Sequence, residues 1–295
     1  MRIYDDSAPF SKGLMAQSLM ATGLRPDRAY DVAAAMERRL RRSGRGELSL
    51  ADLRQVSRRA LGRREGDVLL ERYRQWGTLT HMGTPLIVLI GGATGVGKST
   101  LAHQMAARLG VTRVVSTDMV RQVMRAFFAA ELMPYIHFSS FDAASAVRVT
   151  LPQETDLSKV GYLEQTKAVT VGTEALIERG ITESTTMIME GVHIVPGILD
   201  RSRWREALVV EMVLAVRDRD AHRGHFVGRD WESGGVRPLK RYVEHFAEIR
   251  RIQKYILARA DKFGVPVLDN VGMDDVLSDA LGIVLRRVEE YESAR

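Results

Sequence analysis

Residues 91–100 read Gly-Gly-Ala-Thr-Gly-Val-Gly-Lys-Ser-Thr, and Gly92-x-x-x-x-Gly97-Lys98-Ser99 within them combines glycines, a cation and a hydroxyl at a chemically telling spacing. Glycines let the backbone curl until successive N–H groups point inward, forming a nest for anionic oxygens. Lys98 brings a point charge to the outer phosphates of a nucleotide, and Ser99 offers its hydroxyl to Mg²⁺. The run Gly92, Ala93, Thr94, Gly95, Val96, Gly97, Lys98, Ser99 and Thr100 is therefore expected to wrap the phosphates of ATP. That task needs a strand before the loop and a helix after it. Leu86–Ile90 is a short apolar run ending in glycines, which reads as a strand buried on both faces. Thr100–Leu109 carries Leu101, Met105 and Leu109 at helical spacing, so its positive end faces the phosphates.

Further groups fall where a parallel sheet gathers its ligands, beyond the carboxyl ends of strands. Val111–Val115 reads as a second strand ending in Ser116-Thr117-Asp118. Asp118 there could take a proton from an attacking hydroxyl, hold Mg²⁺ through water, or cap the helix that opens at Met119. Arg121 and Arg125 follow at i, i+4 on one helix face, as candidates to grip an anionic acceptor beside Asp118. A third strand, Thr186–Met189, ends in Glu190-Gly191-Val192-His193. Glu190 suits a carboxylate that organises Mg²⁺, while His193 reads as structural. Residues 132–156 are irregular and too long for a plain connection, so they read as a functional cover in which His137 could meet the acceptor. After a fourth strand, about Ala207–Val216, the arginine-rich stretch 217–237 suits a lid that neutralises a moving phosphoryl group. Arg223 and Arg229 are its first candidates, then Arg237 and Arg241; a polar surface helix is the alternative.

The elements that must hold these groups are legible in outline. Leu157–Gly180 reads as a long helix burying Leu163, Ala168, Val171, Ala175 and Leu176, with Glu164, Gln165 and Lys167 on the surface or in the cleft. Leu239–Ala260 is a second long helix, Val265–Leu268 a last strand, and Met273–Glu292 a closing amphipathic helix. The Asp269-Asn270 loop lies where an adenine could sit. Ahead of the phosphate loop the chain reads as helical. A helix over Ser11–Thr22 has Leu14, Met15, Ser18 and Leu19 on one side, and one opening at Pro26 has Ala29, Val32, Ala33, Met36 and Leu40. Ser49 and Asp52 form a capping box, a fourth helix covers about Glu65–Gly77, and Arg2–Tyr4 reads as a short strand. Thr78–Pro85 reads as a linker, giving domains 1–80 and 85–295.

Composition limits the partners. The 295 residues include no cysteine, which excludes disulfides and thiolate metal sites. No apolar run reaches the length of a membrane span, and Met-Arg-Ile-Tyr-Asp-Asp lacks a signal-peptide pattern, so a cytoplasmic place is expected. Residues 1–80 hold 16 Lys and Arg against 10 Asp and Glu, while the remainder balances at 27 each. All the excess basicity thus lies in the first segment. Nucleic acid is not expected at the catalytic part, although an ATP-dependent nucleic-acid-binding regulator stays open as a rival, as does a homo-oligomer.

Two resemblances add to this. Pro9-Phe10-Ser11-Lys12, Ser18-Leu19, Ala21 to Leu24, Ala29-Tyr30 and Ser49 to Leu61 resemble an ATP-cone, a helical module that binds regulatory nucleotide. The hairpin that usually opens it is shortened here to Arg-Ile-Tyr-Asp-Asp, and Arg38, Arg39, Arg41 and Arg42 could meet phosphates or form a solvated face. Nearly the whole chain resembles the archaeal-type 2-phosphoglycerate kinase family. The likeness rests on Gly91 to Thr100, Ser116-Thr-Asp118, Arg121 with Val123-Met-Arg125, and His137-x-Ser-Ser140. It continues in Leu163-Glu-Gln165, Glu190-Gly-Val-His-Ile-Val-Pro-Gly197, Ala221-His-Arg223 and Gly264-Val-Pro-Val-Leu-Asp-Asn270. It implies an α/β P-loop kinase, a mostly parallel sheet flanked by helices with a small N-terminal helical domain. It also implies ATP-dependent phosphorylation of 2-phosphoglycerate to 2,3-diphosphoglycerate with Mg²⁺. A kinase for another small hydroxylated or phosphorylated acceptor is the alternative. Where the family carries more arginine after Ala221-His222-Arg223, this chain has Gly224 and His225.

Overall fold

A computed structural model describes residues 2–4, 10–44, 47–148, 152, 154–232 and 239–294, with the side chains of 2–4 and 228–232 left out. The chain forms two compact units, Met1–Gly83 with Leu277–Arg295, and Thr84–Val276.

In the first unit, strand β1 (Arg2–Tyr4) pairs antiparallel with β2 (Leu48–Ser49), among helices α1 (Lys12–Ala21), α2 (Pro26–Ser43), α3 (Leu50–Leu61) and α4 (Arg63–His81). Ser11 caps α1, Pro26 opens α2, and Ser49 and Asp52 close the expected capping box. The buried face of α1 is Met15, Ala16 and Leu19, while Leu14 is 66% exposed, so that stripe is rotated from the expected one. Those residues pack with Val32, Met36, Leu53, Leu69 and Tyr73 in one core. Helix α4 continues to His81, which shortens the linker to Met82–Pro85. Of the arginine run, Arg39 pairs with Asp52 and Arg41 with Glu37. Arg38, Arg39 and Arg42 line a cavity of about 730 Å³, shared with Arg59, Asp31 and Glu47.

The second unit carries strands β3 (Leu86–Gly91), β4 (Arg113–Ser116), β5 (Met187–Gly191), β6 (Leu208–Ala215) and β7 (Val267–Asp269), all parallel, in the order β4-β5-β3-β6-β7. Helices α5 (Lys98–Leu109), α6 (Thr117–Phe127), α7 (Leu157–Thr182), α8 (Arg219–Glu232), α9 (Leu239–Glu244) and α10 (Phe246–Phe263) follow the strands, and the last helix, α11 (Met273–Ser293), belongs to the first unit from Leu277 onward. Leu86–Ile90 are at most 1% exposed, as a central strand covered on both faces requires. Each such side chain contributes about 1.5–3 kcal/mol on burial, so the strand under the phosphate loop is firmly seated.

Two further expectations change in this unit. The single helix expected over 239–260 is divided at His245 into α9 and α10. Helix α7 buries Tyr162, Gln165, Thr166, Val169, Thr173 and Ile177, while Val171 is 68% exposed. Its inward face is largely polar, and most of those groups are satisfied, the Thr170 hydroxyl being without a partner among the described residues. Thr166 and Thr173 donate back to the carbonyls of Tyr162 (2.8 Å) and Val169 (3.0 Å), and Gln165 finds partners in the next elements.

Candidate active site

Strand register sets the site. Ile90 of β3, Glu190 of β5 and Ser116 of β4 lie side by side at the carboxyl end of the sheet. With neighbouring strands about 4.8 Å apart, the three ends fall within about 10 Å. The loop after β3 curls as the glycine spacing requires. Gly95 and Gly97 have φ of 83° and 95°, and a Cβ on Gly95 would stand 2.4 Å from the Phe226 ring. Buried Lys98 donates from Nζ to the Ala93 carbonyl at 2.8 Å, across the mouth of the loop. The Ser99 hydroxyl donates to Glu190 Oε1 at 2.9 Å, and Glu190 is only 6% exposed. A hydroxyl and a carboxylate in contact are the hard oxygen donors that fit Mg²⁺. Among the described residues no three His, Asp or Glu gather as a metal cluster.

Ser116, not Asp118, caps α6, its Oγ accepting from the Met119 N–H at 3.1 Å. Asp118 is thereby released from the capping role and sits in the first turn. Desolvation by its surroundings pushes the Asp118 carboxyl up, but the charges of His193, Arg121 and Lys98 outweigh it and hold the group below the usual carboxylate range. Burial keeps His193 neutral, its value pulled down to about 4, so at neutral pH Arg121 and Lys98 supply this field. Asp118 thus lies within electrostatic reach of Lys98, at the same end of the sheet.

Arg121 reaches Asp118 from Nε at 3.3 Å, but its Nη1 donates to the carbonyls of Ile136 and Phe138, both at 2.9 Å. It clamps the turn Pro134–His137 as well as facing the site. Arg125 donates to Gln122 Oε1 at 3.1 Å, and its buried Nε has no partner among the described residues. His137 donates from Nε2 to the Phe128 carbonyl at 2.8 Å, which ties the cover to the end of α6. The cover holds two short 3₁₀ turns, Pro134–His137 and Ala143–Ala146.

Helix α8 lies against the phosphate loop through groups that sequence reasoning missed. His222 Nε2 donates to the Thr94 carbonyl at 2.9 Å, and His225 Nδ1 to the Gly95 carbonyl at 3.0 Å. Phe226 packs on Gly95 and stacks on Tyr242 at 4.9 Å, and Tyr242 meets Phe141 of the cover at 5.9 Å. The spacing 222, 225, 226 is one helix face, and that was the available signal. Asn270 donates to the Val96 carbonyl at 2.9 Å, so its amide supports the loop. Arg223 is exposed and rests over Phe246, 5.4 Å from the ring centroid. Arg241 donates to Ser139 Oγ at 2.9 Å. The Arg229 side chain and Arg237 lie outside the described residues.

A parallel sheet whose central strand runs into a glycine loop, lysine and serine, with one acid at the end of the strand beside it and another just beyond the strand after that, defines a P-loop kinase. No family model matches the chain. It is 40% identical over 263 residues to a 2-phosphoglycerate kinase of Methanothermobacter thermautotrophicus, covering 89% of this chain and 86% of that one. It is 36% identical over 284 residues to that of Methanopyrus kandleri (96% and 86% covered), and 34% identical over 284 residues to that of Pyrococcus horikoshii (96% and 92%). The chain belongs to the 2-phosphoglycerate kinase family.

Proposed function

We propose that the chain transfers the γ-phosphoryl group of ATP to the 3-hydroxyl of 2-phosphoglycerate, giving 2,3-diphosphoglycerate and ADP. The observation that carries this is the meeting of the Ser99–Glu190 pair, Lys98 and Asp118 at neighbouring strand ends in a chain of this family. Loop amides and Lys98 hold the β- and γ-phosphates. Ser99 and Glu190 would hold Mg²⁺, which supplies positive charge to the phosphate oxygens. Asp118 accepts a hydrogen bond from the acceptor hydroxyl and aligns it. As a weakened base it orients more than it deprotonates, which suits a loose transition state governed by positioning and electrostatics. Arg125 retains donor capacity for a carboxylate or phosphate of the acceptor, with Arg121 beside it. Arg223 and Arg229 are the lid cations, and the protein works in the cytoplasm.

Purified chain given Mg-ATP and 2-phosphoglycerate is expected to release ADP in step with acceptor consumed, and Lys98→Ala to stop it. ADP release indifferent to every phosphorylated acid offered would sink the acceptor assignment while leaving the phosphate loop intact. The first unit carries the ATP-cone-like reading, and binding of two ATP per chain rather than one is the calorimetric outcome expected of it. One ATP per chain would remove it.

A further inference from the structure

Gln165 and His193 sit at the heart of the second unit, and the transfer step has no direct use for either. Gln165 is fully buried and His193 is 2% exposed. The Gln165 amide Nε2 donates to the carbonyls of Tyr135 (2.6 Å) and Phe138 (2.9 Å). With the nitrogen so committed, Oε1 must face the imidazole, and it accepts from His193 Nε2 at 3.0 Å. The other ring nitrogen, Nδ1, is then an acceptor, to which the Thr117 hydroxyl donates at 2.8 Å. Each group has one consistent role, so the network has a single proton arrangement.

What the network joins is more telling than its satisfaction. Thr117 directly precedes Asp118 in α6. His193 follows Glu190 by three residues, in the turn after β5. Gln165 belongs to α7, and Tyr135 and Phe138 belong to the cover. The Phe138 carbonyl also accepts from Arg121, which itself faces Asp118. The backbone of 135–138 is thus held by two side chains, those of Arg121 and Gln165. Gly191 must stay bare for this geometry, since a Cβ there would fall 1.8 Å from Thr117 Oγ1.

We propose that Gln165 and His193, anchored on Thr117, are positioning residues that seat the 134–138 turn over the acceptor, and so set acceptor affinity without setting ATP affinity. This rests on the reading that the acceptor binds beside Asp118. A group that only fills the core would alter both substrates alike or neither. Misplacing a positioning group costs much in the substrate it aligns and little elsewhere.

The test uses the full chain with 2-phosphoglycerate and Mg-ATP. Gln165→Glu keeps the shape but replaces the two N–H donors with a carboxyl that has at most one proton to give. It is expected to raise the acceptor KM about tenfold or more while the ATP KM stays within about twofold. Thr117→Val is expected to shift the same constant in the same direction, and Thr117→Ser, which keeps the hydroxyl, to restore it. Amide hydrogen exchange over 134–138 is expected to quicken in Gln165→Glu and Thr117→Val, with the phosphate loop unchanged. Equal rises in both KM values, an unmoved acceptor KM in a folded variant, or unchanged exchange over 134–138 would each overturn the proposal. Should Gln165→Glu fail to fold, the Thr117 pair decides. Wild-type chain that turns over no acceptor refutes the functional reading, whereas the exchange result judges the turn's anchoring independently.

Discussion

Asp118 shows how surroundings choose a side chain's task. Ser116 takes the helix cap, freeing the Asp118 carboxylate from that task, and Lys98 and Arg121 keep it ionised below the ordinary carboxylate range. Its protonation therefore does not limit the rate at neutral or mildly acid pH. Asp118→Asn keeps the shape and removes the charge, and a drop in kcat of about 10²–10⁴ with the ATP KM within about twofold is expected from steady-state kinetics. An unchanged kcat would remove Asp118 from the mechanism. The carboxylate was legible because it stands two residues beyond a readable strand. Its release from capping was not, since Ser116 and Asp118 are both good caps in sequence and only the structure shows which side chain accepts from the Met119 N–H.

Among the elements, α8 differs most from its sequence-based picture. Its arginines drew the expectation of a lid, yet the histidines and Phe226 form its face toward the loop. His225 donates to the Gly95 carbonyl, which gives it a local purpose at the loop. One such bond is worth about 0.5–1.5 kcal/mol, so His225→Ala is expected to raise the ATP KM roughly two- to tenfold and to spare the acceptor KM. An unmoved ATP KM would make the contact ornamental. The strands, the phosphate loop and most helices were readable because each signal lies within a dozen adjacent residues. The face of α7 was not, because apolar periodicity cannot foresee that Gln165, Thr166 and Thr173 satisfy their polar groups internally. Contacts such as Thr94 with His222 join positions 128 apart, beyond any local pattern.

Across the chain, two buried imidazoles govern behaviour in acid. His193 and His222 are each held to about 4, chiefly by burial, whereas in an unfolded chain they would take a proton near 6.5. Between those values unfolding takes up protons, so stability falls as pH drops from about 6.5 towards 4, and above that window neither group contributes. The loss is on the order of 1 kcal/mol per imidazole at pH 5.5. Melting temperature followed from pH 7.5 to 5.0 should decline, and His222→Asn should flatten the decline. An identical slope in that variant would reject the assignment.

The first unit is also discontinuous. Arg72 donates to the Thr22 carbonyl and also to Ser278 Oγ, and Gln75 donates to Glu289, the last two bonds joining positions more than 200 apart. On a ribosome adding about 5–20 residues per second, the early helices wait roughly 10–40 s for their last partner. The phosphate-binding stretch emerges whole in the interval. A nascent chain released before Leu277 would therefore be crippled at its beginning rather than at the point where it was cut.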